Sequence, residues 1–243
     1  MKVSSLLFAA SLACTGAHGG EVVFAVFTSS AMPMTAYHDG VLVDGLLKGF
    51  GDALAAELHL TPRYVAFPRK RVEDALAHGT ADLLCDLRPE WLERQDWLWS
   101  DAIFTNSLMI GSRRGVAPPA DLAALRGKRL GTVLGYRYGE LEQALGTAFV
   151  RDEAVSDDIN LSKLVRHRFD FMVTNSLYFD YQRKVHPDGR ALNPERYTIM
   201  SFDTYCALPA ASRIGRARVN QAIAALRRNG TMQSILDRFR VLP

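Results

Sequence analysis

The strongest constraint on this chain is an alternation that runs through it twice. Near-continuous apolar runs, rich in β-branched and aromatic residues, alternate with segments whose apolar residues recur at helical spacing. Residues 21–27 form the first such run and predict a strand buried on both faces. A loop over 28–34, containing Ser29 and Pro33, follows. Leu47, Phe50, Leu54 and Leu58 then mark a helix over 46–58, and 61–67 reads as a second strand. A helix over 71–77, stopped by Gly79, feeds a third strand over 81–85. The pattern then restarts. Strands are expected at 107–112, 128–134 and 169–174, and helices at 121–125, 140–145 and 157–167. An extended stretch over 197–208 leads to a helix over 214–227 and a last amphipathic helix behind Asn229-Gly230. Strand–helix alternation of this kind predicts an α/β fold with mostly parallel sheets. Its repetition predicts two lobes, 21–106 with 204–243 and 107–203, joined by two crossings near 104–110 and 200–206.

Residues 1–19 read as an export signal outside the fold. Lys2 gives a positive start, 3–13 an apolar run, and Ala17 and Gly19 the small residues a signal peptidase reads. Cys14 raises a lipoprotein alternative, but Ser11-Leu12-Ala13 is a poor match for that signal. Cleavage after Gly19 leaves 243 − 19 = 224 residues, ample for a core. The expected location is the periplasm. The formal charge of +3 falls to +2 without Lys2, too little to argue for nucleic acid. Cys85 and Cys206 remain, in apolar segments, and both a single bridge and two buried thiols fit an exported protein. No metal-ligand spacing, nucleophile elbow or Walker-type loop is present, so the expectation is no metal and no cofactor.

Several short motifs, taken in order, resemble the extracellular solute-binding proteins of family 3, the polar amino acid binders of ABC importers. Leu76, Gly79 and Asp82 resemble the family's helix–Gly–strand step, and Trp99-Ser100-Asp101 its Phe-Ser-Asp. Leu125, Gly127, Lys128 and Gly131 resemble the start of its second half. Gly135 falls at its Gly-Ser-Thr loop, Asp170 at its Asp-Ala-Val-Val strand, and 229–239 at its last helix. The resemblance implies a type II two-lobed periplasmic binding fold with a ligand between the lobes. Counting from Asp82, it implies that Arg94 grips the ligand carboxylate. Four departures stand out. Asn175 replaces the family's amine-binding Asp, and Tyr136-Arg137 follows Gly135 in place of Ser-Thr. Pro89-Glu90-Trp91 stands where Thr-x-Thr is usual, and Arg69 where an aromatic is usual.

The chemistry of these residues gives the candidate site. The Arg94 guanidinium can hold a carboxylate through two parallel hydrogen bonds; its bland alternative is an ion pair with Glu90 or Glu93. Gly135, Tyr136 and Arg137 form a strand-to-helix loop whose backbone N–H groups and helix dipole favour an anion. Asn175 offers polarity without charge, or caps the turn after its strand. Arg69 begins a basic cluster, Trp91 supplies a flat wall, and Asp86 and Ser29 complete the set. The expected function is capture of a small carboxylate-bearing ligand, an amino acid or related organic anion. The protein would act as a monomer and deliver the ligand to the membrane permease of an ABC importer, with no catalytic residue. Two alternatives remain. One is a dehydratase-like periplasmic enzyme using Glu90 or Asp86 as general acid; the other is a ligand sensor without transport.

Overall fold

A computed structural model describes residues 20–239, and the export-signal reading of 1–19 lies outside the described residues. The first unit begins with β1 (Glu21–Phe27), a hairpin of β2 (Ala36–His38) and β3 (Val41–Asp44), α1 (Leu46–Glu57) and β4 (Thr61–Phe67). It continues through α2 (Val72–Ala77), β5 (Leu83–Leu87) and the short β6 (Leu98–Trp99). The second unit holds β7 (Thr105–Ser112), β8 (Arg129–Val133), α3 (Gly139–Leu145), β9 (Val150–Ala154), α4 (Asp157–Val165), β10 (Phe171–Asn175), α5 (Ser176–Val185) and β11 (Tyr197–Asp203). The chain then returns to the first sheet as β12 (Tyr205–Leu208) and closes with α6 (Arg216–Arg228) and α7 (Thr231–Phe239). The sheet orders are β4-β1-β5-β12-β6 and β11-β7-β10-β8-β9. Strands β1, β4 and β5 run parallel, as do β8, β9 and β10, while β12, β6, β7 and β11 pair antiparallel.

The apolar runs are buried on both faces, as their composition requires. Val22, Phe24 and Val26 of β1 pack toward α1, α6 and α7, while Val23, Ala25 and Phe27 pack toward α2 and the tryptophan-rich loop. In the second unit Met172 joins the cluster under α4 and α5, and Phe171 and Val173 the cluster under α3. Asp82 is buried for a structural reason. It accepts from Val23 N at 2.8 Å and from the Arg213 guanidinium through two bonds of 2.8 Å, tying β5 to β1 and to the approach to α6.

The chain crosses between sheets at two adjacent places. Ile103 N donates to Thr204 O at 2.7 Å, and Thr204 N donates to Phe104 O at 2.9 Å. Cys85 and Cys206 are disulfide-bonded, joining the antiparallel neighbours β5 and β12. Of the two states the sequence left open, this is the bridged one.

Several elements differ from expectation. The third strand begins at Leu83, two residues late, because Ala81 and Asp82 belong to the turn out of α2. The 121–125 helix is only a 3-10 turn over Ala123–Leu125. The long extended stretch divides at Thr204, where it changes sheet. The β2–β3 hairpin, β9 and α5 carried too weak a local signal: β9 is VRDEA, polar enough to read as loop.

Gly131 on β8 leaves no room for a methyl group, since a Cβ there would lie 2.4 Å from the buried Phe169 ring. Gly131→Ala is expected to cost on the order of 1–3 kcal/mol of stability, measured as a lowered urea midpoint with unchanged slope.

Candidate functional site

The carboxyl ends of both sheets converge on a partly open cavity of about 100 Å³, room for several waters or one small molecule. From the first unit come Phe27 at the end of β1, the loop residues Ser30, Ala31 and Met34, Arg69 after β4, and Asp86, Leu87 and Trp91 at and after β5. From the second come Tyr136, Arg137 and Tyr138 after β8, Asp157 at the start of α4, and Thr174, Asn175 and Tyr178 around the β10–α5 junction. Phe202 lies on the return crossing.

Arg69 is the cation built into this cavity. Its guanidinium lies 5.2 Å from the Phe27 ring centre and donates to the Trp91 carbonyl. Burial lowers its pKa, and the neighbouring Tyr136, Glu73 and Glu93 act in the opposite direction. Tyr136 faces it from the other unit. Its hydroxyl is 3.1 Å from Ser29 Oγ, and burial pushes the phenol up to about 12, so it holds its proton and can donate. Two carboxyls share the cavity. Asp157 is pushed up to about 7 by burial, although the Thr174 hydroxyl donates to it at 2.9 Å. Asp86 is raised well above the usual carboxylate range by burial alone and has no hydrogen-bond partner among the described residues. Trp91 and Phe202 meet edge to face at 5.1 Å, and with Phe27, Tyr136, Tyr138 and Tyr178 they make the walls largely aromatic. The arrangement offers a cation and a phenol donor on one side, two acids, and flat apolar surfaces between them. Among the described residues no group of three His, Cys, Asp or Glu side chains is placed to hold a metal.

The cleft is closed over this cavity. Besides Ser29–Tyr136, Arg137 approaches Glu93 at 3.9 Å and Arg88 approaches Glu140 at 3.6 Å. Gln182 Nε2 donates to the Met32 carbonyl at 3.1 Å. These links are few and partly exposed, so each contributes little.

The structure brings Arg69, Asp86, Trp91, Tyr136, Arg137 and Asn175 together at the cavity. Ser29 reaches it through Tyr136. Arg94 does not come there. It is 47% exposed, bonds both oxygens of Asp96 at 3.1 and 2.7 Å, and stacks 4.9 Å from Trp97. Counting from Asp82 misplaced it because the Pro89–Trp91 turn puts Trp91, not a later residue, at the cavity wall. Gly135 lies in an outer groove, with its Cα side against Arg69. No helix dipole serves it, because α3 starts only at Gly139, four residues on. Asn175 lines the cavity but caps α5, its Oδ1 accepting from Tyr178 N at 2.9 Å. Glu90 is exposed, in the outer groove, beside Arg88. Asp157 was missed. Its only local signal is the Ser156-Asp157-Asp158 helix start, which reads as an ordinary cap.

No family model matches the chain, and no curated protein matches it in sequence. Solved structures do match. An ancestral arginine-binding protein with bound arginine is 17% identical, covers 92% of this chain and 100% of its own, and superposes with a TM-score of 0.76. The ancestral amino acid-binding protein AncCDT-1, a precursor of cyclohexadienyl dehydratase, is 16% identical over 90% of this chain and 95% of its own, TM-score 0.75. The arginine-, lysine-, histidine-binding protein ArtJ of Geobacillus stearothermophilus is 17% identical over 90% and 94%, TM-score 0.73. The fold of this chain is therefore that of the two-lobed periplasmic binding proteins.

Asp157 gives a pH test. Its folded pKa is raised, so the stability associated with its protonated form is complete below the unfolded value of 3.8 and is lost as pH rises to about 7. The ligand-free protein should lose stability between pH 4 and 8. Asp157→Asn should reduce that loss by on the order of 2–4 kcal/mol, read from urea unfolding across the range.

Proposed function

We propose that this chain is an exported solute-binding protein of family 3 type, which captures a small carboxylate-bearing solute between its two lobes. The lobes are taken as 21–106 with 204–243 and 107–203. The protein works as a monomer in the periplasm and hands its solute to the permease of an ABC importer. Among the described residues no helix is long and apolar enough to cross a membrane. The observation that carries this reading is the cavity built from both units, with Arg69 and Tyr136 both lining it. A guanidinium and a protonated phenol are suited to a carboxylate, and the aromatic walls to the body of the molecule. The arginine-binding and amino acid-binding neighbours support the same class of solute. Groups from both lobes touch one ligand, so the ligand prefers the closed form and shifts the hinge toward it.

A second reading rests on one feature. A carboxyl whose pKa burial raises well above the usual range, as at Asp86, is what a general acid needs. Under that reading the bound acid leaves the site altered in mass.

The experiment is native mass spectrometry of freshly purified protein, followed by calorimetry with amino acids and small organic acids. A ligand bound and released unchanged supports the binding protein, an altered mass supports the enzyme, and no binding across the panel overturns both. For a ligand so found, Arg69→Ala should lose on the order of 2–5 kcal/mol of affinity, while Arg94→Ala stays within about twofold of wild type because its partner is Asp96. Small-angle scattering should show a smaller radius of gyration with ligand than without. An equal radius would mean a rigid body.

A further inference from the structure

The bulge at the cavity end of β5 has a consequence for which ligands fit. Tyr205 pairs with Leu87 and Ala207 with Leu84, so Cys206 alone opposes two residues, Cys85 and Asp86. An extra residue breaks the alternation of the strand. Leu84 and Leu87, three apart, therefore face the same apolar cluster. Asp86, between them, is freed from that face and lines the cavity. Its backbone is left-handed at φ 65°, unusual for a residue with a side chain. The Cys85–Cys206 disulfide crosses the two strands at the bulge itself.

The charges in the cavity do not balance. Arg69 is committed to the Trp91 carbonyl and the Phe27 ring, and Arg137 sits at the rim beside Glu93. Asp157 has Thr174 as donor. Asp86 is half-buried where it lines the cavity, and it has no donor among the described residues. A cationic group of a ligand in the cavity would reach it and supply that donor. Phe27, Trp91, Tyr136 and Phe202 supply the aromatic faces on which a cation is also held.

We propose that Asp86 is the specificity-determining residue for a cationic nitrogen of the ligand, an ammonium or guanidinium, and that the Cys85–Cys206 disulfide is the clamp that positions it. The proposal rests on the cavity being the ligand site. It assigns this role to the first unit, whereas the family resemblance puts an amine-binding Asp at the position of Asn175 in the second. Reduction of the bridge frees the bulge to relax into regular pairing, which turns Asp86 away from the cavity and weakens cation binding.

The test is calorimetry at pH 7 with L-arginine, L-lysine, L-histidine and agmatine as cationic probes, and L-glutamine and L-glutamate as controls. Wild type is compared with Asp86→Asn, Asp86→Glu, the pair Cys85→Val with Cys206→Ala, and wild type reduced with dithiothreitol. Near-UV circular dichroism establishes that each is folded. Asp86→Asn is close in shape, so it reports charge rather than folding. It should weaken the best cationic probe roughly tenfold or more while changing glutamine far less, with Asp86→Glu in between. The cysteine pair and the reduced protein should show the same selective loss. Equal or tighter cation binding by Asp86→Asn overturns the assignment, and unchanged selectivity in both bridge-free forms overturns the clamp. Wild type that binds glutamate and no cationic probe removes this inference and leaves the proposed function standing. Wild type that binds no probe and retains no molecule removes both.

Discussion

The rest of the structure depends on the paired crossing at Phe104 and Thr204. Thr204 is fully buried; its backbone N–H and its hydroxyl both donate to the Phe104 carbonyl, at 2.9 and 3.1 Å. That single acceptor ties together the only two β-linked passages of chain that leave one described sheet for the other. Beyond it β7 and β11 pair from Thr105 and Asp203 onward, so the crossings continue as a ribbon rather than as loose linkers. A ribbon of two strands bends readily but does not let its ends drift apart. It therefore fixes which strand ends face each other.

Given that geometry, the site follows from an old property of parallel sheets: ligands collect beyond the carboxyl ends of the strands. The β1, β4 and β5 ends deliver Phe27, Arg69 and Asp86, and the β8 and β10 ends deliver Tyr136 and Asn175. The aromatic rings exclude water, and that exclusion raises the pKa of Asp86, Asp157 and Tyr136 together. Beside the Arg69 guanidinium, the cavity thus holds acids and a phenol whose neutral forms burial favours.

The same neutral groups separate stability from binding. Surface pairs such as Arg94–Asp96 sit in water and weigh little either way. The buried acids weigh against the empty fold above their unfolded pKa, and a ligand cation would offset that cost. The strain at Asp86 belongs with them. A left-handed backbone at a bulged strand end is a feature that surrounding structure must hold in place, and here the covalent bond between β5 and β12 stands beside it.

The sequence by itself determined the alternating α/β architecture and its repetition, because burial on both faces writes itself into consecutive residues. It read 21–27 and 61–67 to the residue, and it pointed to Arg69, Trp91, Tyr136 and Arg137, which do meet at the cavity. It could not separate Arg69 from Arg94. Each is an arginine near an acid and an aromatic, and only distance in space tells that one has Asp96 to hold and the other a closed cleft. Nor could it find Asp157, which in the chain is the first turn of a helix and in the fold is a buried acid. Whether Cys85 met Cys206 across 121 residues was decided by strand pairing alone. Local composition records what a residue is buried against in its own element. Charge, by contrast, acts between elements, so its meaning was decided only when the two sheets came together.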